Sequence, residues 1–191
     1  MSENGYSMSD EQVVGSALVN KEAFGELVKR YEARLTRYLH RLGVYRQEDT
    51  EDVLQNIFLK TYRNLNEFDK SLKFSSWIYR IAHNEAMSFF RARSVRPEGS
   101  IIDDSESALE ILRSNLDASH EAERNIDAEH LSKALASIDA KYRDVIVLRY
   151  FEEREYTEIS DILRIPTGTV ATLLNRAKKK LQKELSHLTQ V

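Results

Sequence analysis

Cysteine is absent from the 191 residues, which removes disulfides and thiolate metal sites from consideration. Proline occurs twice and glycine six times, so long helices with few sharp turns are expected. No apolar run approaches the roughly 18 residues of a membrane span, and no membrane insertion is expected. The opening MSENGYSMSD is polar and lacks the basic and apolar regions of a signal peptide; a cytoplasmic location is expected. The five histidines, His40, His83, His120, His130 and His187, have no metal-ligand spacing. Glycine-rich phosphate loops, zinc-helix motifs and nucleophile motifs are missing too. A catalyst, a metal site and a bound cofactor are therefore not expected.

What is present is charge, unevenly spread. The chain carries a formal −3, yet the stretch from Pro97 to His130 holds ten acidic and two basic residues, a local −8 that leaves +5 elsewhere. The chain reads as two mildly basic pieces joined by an acidic connector. The expected organisation is a helical domain over 1–96, an acidic flexible linker over 97–125 and a second helical domain over 126–191. The fold class is all-α, with no alternating strand pattern in competition.

Helix signals place the elements. Ser9 and Gln12 have capping-box spacing before a helix that runs to Val19. Asn20 can cap a second helix from Lys21 to Leu42, which Gly43 ends. Asp49 or Thr50 is expected to open a third helix reaching Leu65, and Phe74 to Arg91 forms a fourth. Pro97 stops regular structure. In the second domain, helices are expected near 126–138, 140–151, 156–163 and 167–188.

Three surfaces carry chemistry. On the third helix, Val53, Leu54, Ile57, Phe58 and Leu65 make a core stripe. Asp52, Gln55, Leu59, Tyr62 and Arg63 make a second stripe whose apolar centre and polar rim fit a protein contact; an ordinary exposed face fits equally. On the fourth helix, Trp77, Ile78, Ile81, Ala82 and Phe89 share one side. Tyr79, Arg80, His83, Asn84, Met87, Phe90 and Arg91 share the other, where unstacked bases could sit among cations; packing against neighbouring helices is the alternative. In YTEISDILRIPTGTVATLLNRAKKKL, from Tyr156 to Leu181, a short helix, the turn Arg164–Ile165–Pro166 and a longer helix form a helix-turn-helix. The longer helix turns Val170, Leu174, Ala177, Leu181, Leu185 and Leu188 inward. Thr172, Asn175, Arg176, Lys179 and Lys183 turn outward, where they suit major-groove edges and phosphates. Its first N–H groups, near Thr167, Gly168 and Thr169, can seat a phosphate. A solvated terminal helix is the competing reading. A stand-alone helix-turn-helix regulator, with the first domain serving dimerisation or ligand binding, would also account for these features.

The segments EAFGELVKRYEARLTRYLHRL, DTEDVLQNIFLKTYRNLNEF, FSSWIYRIAHNEAMSFFRAR and YTEISDILRIPTGTVATLLNRAKKKL occur in the order and spacing of a bacterial sigma factor of the extracytoplasmic-function group, and resemble its regions 2 and 4. That resemblance implies a dissociable subunit that binds core RNA polymerase through its clamp coiled coil and flap. Such a subunit directs promoter-specific initiation and is often held by an anti-sigma factor. It implies polymerase contacts at Asp52, Gln55, Phe58, Leu59, Tyr62 and Arg63. It implies capture of the melted −10 element by Phe68, Asp69, Lys73, Ser76, Trp77, Arg80, Asn84 and Arg91. It implies −35 contacts at Thr167, Gly168, Thr169, Thr172, Asn175, Arg176, Lys179 and Lys183. The chain departs from the family where Arg164 replaces a common glycine and where Ala171 and Leu173 replace commonly basic residues. Asn175 and Lys179 are then expected to carry more of the −35 contact.

Overall fold

The computed structural model describes residues 8–95, 131 and 133–188. Ser9 begins α1 (Asp10–Val19) through the expected reciprocal cap. Its Oγ accepts from the Gln12 N–H at 3.3 Å while the Gln12 side chain accepts from the Ser9 N–H at 2.8 Å. Two orphan donors of the first turn are thereby satisfied. The Asn20 side chain accepts from the Glu22 N–H, as a cap should, but the turn it opens, Lys21–Ala23, is a 3-10 turn. The second helix, α2 (Phe24–Leu42), therefore starts later than expected. Its inward stripe of Leu27, Tyr31, Leu35, Tyr38, Leu39 and Leu42 is buried, each aliphatic side chain contributing about 1.5–3 kcal/mol. Gly43 ends α2 at φ 113°, and its N–H closes on the Leu39 and His40 carbonyls. That backbone region strains any residue with a Cβ.

The third helix, α3 (Gln47–Arg63), begins before Asp49 and Thr50. Thr50 is not a cap: its buried hydroxyl donates back to the Val44 and Arg46 carbonyls at 3.2 and 3.0 Å and ties the first turn to the preceding loop. The helix also stops at Arg63, and Leu65 lies in a separate 3-10 turn, Leu65–Glu67. The fourth helix, α4 (Phe74–Val95), outruns its expected end. Its first N–H donates to the Glu11 carboxylate of α1 at 3.1 Å, an acid placed where the helix dipole favours one. Phe68, Phe74 and Trp77 pack with ring centroids 5.4–5.8 Å apart, and Tyr31 meets Phe74 edge-on at 5.5 Å. The linker expected over 97–125 lies outside the described residues.

The second unit has helical backbone at residue 131 and over 133–137, then α5 (Ala140–Ile146), α6 (Tyr156–Leu163) and α7 (Thr167–Leu188). Where one helix was expected to run from 140 to 151, α5 widens into a π turn over Val147–Phe151. Glu153 follows at φ 53°, and the Arg154 N–H reaches back to the Leu148 carbonyl at 2.9 Å. This wider turn brings both Glu152 and Arg154 against α4. The expected helix-turn-helix stands: Arg164 ends α6, and α7 begins at Thr167. No strand occurs among the described residues, and both units share one continuous apolar core.

Arg164 sits at φ 55°, ψ 44°, a conformation that costs an L-residue about 1–2 kcal/mol. Glycine pays part of that back in unfolded-state entropy. Arg164→Gly should therefore stabilise the protein by roughly 0.5–1 kcal/mol, read as a higher urea midpoint at unchanged m. A lower midpoint would contradict the assigned strain.

Candidate polymerase and nucleic-acid interfaces

On α3, Asp52, Gln55, Leu59, Tyr62 and Arg63 are exposed, and Phe58 lies half-buried behind them. Leu59 is 44% and Tyr62 37% exposed. Two large apolar groups therefore meet solvent side by side with polar neighbours, and Tyr62 is held edge-on against Phe24 at 5.1 Å.

The α4 surface is more closed than its sequence suggests. Asn84 and Arg91 are exposed, and the Arg91 guanidinium donates to the Ser88 hydroxyl at 3.2 Å. Of the expected second aromatic face, little is free. Tyr79 is fully buried. Phe90 lies beside the Gly43 turn, where an added Cβ would touch its ring at 3.6 Å. Phe68 is buried in the aromatic cluster and Ser76 is buried too, while Trp77 is half-buried. Asp69 is exposed; the backbone and hydroxyl of Ser71 hold its carboxyl below the usual range.

The cover comes from the second unit. A crevice opens between the loop and first turns of α4, with Lys73, Ser76, Trp77 and Arg80, and the start of α6, with Glu158 and Asp161. Lys73 Nζ stands 3.2 Å from the Glu158 carboxylate, and the Ser76 hydroxyl donates to it at 3.4 Å. Burial would raise the Glu158 carboxyl, but the Glu155 N–H, Lys73 and Arg154 outweigh it and hold the group below its ordinary value. Beside the crevice, Glu152 accepts from Arg41 at 2.9 Å and from the Tyr79 hydroxyl. Arg154 lies 4.4 Å over the Tyr79 ring and donates to Ser75 at 2.9 Å. Glu152, Arg154 and Glu158 were not singled out from the sequence. The carboxylate spacing of Glu155 and Glu158 reads as a helix-start signal, which they also are, and nothing in the pattern reveals a partner in the other unit.

Deeper in this joint, His83 lies between the Tyr38 hydroxyl, 3.3 Å from Nδ1, and Asp144, 3.9 Å from Nε2. Burial lowers His83 to about 4 and raises Asp144 to about 7, the latter against the opposing pull of Arg143. Between those values both are neutral, so this is a desolvated contact rather than a charged pair.

On α7, Thr167, Gly168, Thr169, Thr172, Asn175, Arg176, Lys179 and Lys183 are all exposed. Thr172 spends its hydroxyl on the Gly168 carbonyl at 2.9 Å. Ala171 is exposed, whereas Leu173 is half-buried against the core. Lys178, which the sequence reading passed over, stands over the Tyr150 ring at 5.3 Å.

A sigma-70 region 2 family model matches residues 27–96 and a sigma-70 region 4 model matches residues 129–181. The ECF RNA polymerase sigma factor SigW of Bacillus subtilis is 32% identical over 88% of this chain and 92% of its own length. The chain belongs to the extracytoplasmic-function sigma factors. The ECF RNA polymerase sigma-E factor of Escherichia coli is 30% identical over 93% of this chain and 97% of its own. Two solved structures share the fold. CnrH, in complex with the cytosolic domain of CnrY, has a TM-score of 0.69, with 22% identity over 93% of this chain and 97% of that one. The sigma factor RpoE of Bartonella quintana, in complex with the anti-sigma factor NepR, has a TM-score of 0.65, with 20% identity over 85% and 96%. As a sigma factor the protein acts with core RNA polymerase in promoter-specific initiation. A stand-alone regulator is not favoured, because both region models match in order. No described helix is long and apolar enough to cross a membrane.

The buried pair predicts an unusual pH response of this sigma factor. Unfolded His83, with an ordinary value of 6.5, binds a proton that the folded form releases above about 4. Its contribution therefore grows with pH up to about 6.5. Folded Asp144 keeps its proton to about 7 while the unfolded group loses it near 3.8. Its contribution therefore falls with pH across nearly the same window, and in the wild type the two slopes oppose. Asp144→Asn removes one of them. The variant should gain stability with rising pH between about 4 and 6.5, by up to about 1.4 kcal/mol per unit, in urea titrations at stepped pH. A pH profile identical to that of the wild type would contradict the assigned protonation.

Proposed function

We propose that this sigma factor docks on the clamp coiled coil through Asp52, Gln55, Leu59, Tyr62 and Arg63, with Phe58 supporting them from behind. The observation that carries this reading is the exposed Leu59–Tyr62 pair within a polar rim, the composition of an interface centre. The crevice-side residues Lys73, Ser76, Trp77 and Arg80, with Asp69, Asn84 and Arg91 around them, receive the unpaired −10 strand. Phe68 serves that site from below, as part of the aromatic floor under Trp77. The helix α7 enters the −35 major groove with Asn175 and Arg176 toward base edges. Its first turn, Thr167, Gly168 and Thr169, faces phosphate, as do Lys179 and Lys183, while Thr172 lies between. The second unit also meets the polymerase flap. The polymerase performs the chemistry, so the sigma factor is not itself an enzyme and works in the cytoplasm without a cofactor. An anti-sigma protein is a further partner, a reading supported by the complex described for the Bartonella quintana relative. The domains are taken as 1–96 and 126–191, joined by the acidic segment 97–125.

The double variant Gln55→Ala, Leu59→Asp tests the docking face. Burying an unpaired carboxylate costs a few kcal/mol, which is about a hundredfold in affinity. Co-purification with core polymerase and run-off transcription should both be lost while the helical circular dichroism is kept. Undiminished co-purification would reject this face.

A further inference from the structure

Arg164 is unfavourable to the fold on two counts. Its backbone, at φ 55°, lies in a region that glycine enters freely and an L-residue enters under strain. Its side chain meets a charge of the same sign. Burial first, and then the Arg164 guanidinium, lower Arg80 from its ordinary value, with Asp161 pulling the other way; like charges brought together are unfavourable. Nothing offsets either term. The Arg164 side chain is exposed, and among the described residues it has no hydrogen-bond or ion-pair partner. A strained residue that contributes no contact to the fold points to a use outside it.

The turn that carries Arg164 is held firmly. The Ser160 hydroxyl donates to the Ile165 carbonyl at 2.6 Å, and the Ile165 N–H returns to the Ser160 carbonyl at 3.2 Å. The helix α7 then begins at Thr167, with the Thr169 N–H on the Pro166 carbonyl at 2.8 Å. Arg164 precedes Thr167 by three residues, at most about 11 Å of extended chain. It therefore stands at the end of α7 whose first N–H groups suit a phosphate. That end lacks charge of its own. From Thr167 to Asn175 the helix holds no cation; Ala171 is exposed but neutral, and Leu173 is drawn into the core. Arg164 is the cation next before that stretch, as Arg176 is the one next after it.

We propose that Arg164 is a further DNA contact of this sigma factor: its guanidinium takes a backbone phosphate beside the first turn of α7 and replaces the charge missing at Ala171 and Leu173. The proposal rests on the −35 reading given above. The planar fork of arginine suits two phosphate oxygens at once. Such a contact fixes the position of the helix on the duplex and carries no base preference, in contrast to the role given to Arg176. Stability and DNA binding then favour different residues at 164, glycine for the fold and arginine for the phosphate.

The test uses the full chain as wild type, Arg164→Gly, Arg164→Asn and Arg164→Lys. Asparagine tolerates the left-handed backbone without the charge, and lysine keeps the charge without the fork. Two controls accompany them: Arg176→Ala, and Lys29→Asn, which removes one exposed cation of α2 far from α7 in sequence. Urea titration reports stability, and a short fluorescent DNA duplex of random sequence, titrated at stepped salt, reports affinity and salt slope. Arg164→Gly and Arg164→Asn should bind more weakly, with the slope reduced by about 0.9, so that their gap to wild type narrows roughly threefold between about 50 and 200 mM salt. Arg164→Gly should do so while gaining stability, a divergence that a merely structural role would not produce. Arg164→Lys and Lys29→Asn should keep the wild-type slope. Should one neutral variant fail to fold, the other carries the same expectation. Wild-type slopes in the neutral variants, or an equal loss in Lys29→Asn, overturn the contact and leave the −35 reading standing where Arg176→Ala weakens binding. Duplex binding that is absent in the wild type, or unchanged in every variant including Arg176→Ala, overturns both.

Discussion

Tyr79 cannot be buried without an acceptor for its hydroxyl, and its acceptor cannot be buried without a cation. Burial and the neighbouring Glu152 keep the phenol well above its ordinary titration range, so it remains a donor at any physiological pH. Glu152 takes that proton contact on one oxygen and Arg41 on the other. Arg154 closes the set by lying over the same ring and reaching Ser75. Taking such ions out of water costs several kcal/mol each unless partners are placed well. Here Glu152 draws its partners from across the joint, Arg41 of α2 and Tyr79 of α4, while Arg154 reaches Ser75 across it and Glu158 on its own side. The apolar lining follows the same geometry, with Tyr38 and Tyr79 edge-on at 5.0 Å and Ile146, Val147 and Leu148 in the shared core.

That joint gives α4 two packing faces. The helix α4 faces its own bundle with Ile78, Ala82 and Ala86, and faces the second unit with Tyr79 and His83. Its N-terminal end, where Lys73 and Arg80 gather charge, is then bordered by the acidic start of α6. The long outward stripe of α7 and the Leu59–Tyr62 patch of α3 stay open. In this arrangement the surfaces proposed for the polymerase and for duplex DNA are open, and the crevice proposed for the single strand is bordered by α6.

The sequence carried the local rules well. Ser9 with Gln12, Asn20, Gly43, and the inward periodicity of α2 and α7 each depend on neighbours within a few residues, and each appears where its chemistry places it. The exposed stripes of α3 and α7 were also legible, because periodicity determines which residues share a face. It does not determine what covers that face. Tyr79, His83 and Phe90 fell on the side of α4 away from Trp77, and nothing local revealed that the second unit and the Gly43 turn would claim them. Thr50 looked like a cap because threonine so often accepts, whereas here it donates. The π turn over Val147–Phe151, and the positive φ of Glu153 just after it, left no periodic signature. Arg164 was legible as a departure from a glycine position, and its positive φ is what that glycine would have accommodated.

The central claim is that the two helical units close on each other in the free chain through the joint of Arg41, Tyr79 and Glu152. The absence of native cysteine permits dyes at Glu32→Cys and Gln182→Cys alone, both exposed and away from the joint. Energy transfer between them, measured in the otherwise wild-type chain and again with Glu152→Ala, tests the claim directly. The account predicts high transfer in the first and a marked fall in the second. Equal transfer in both would contradict it.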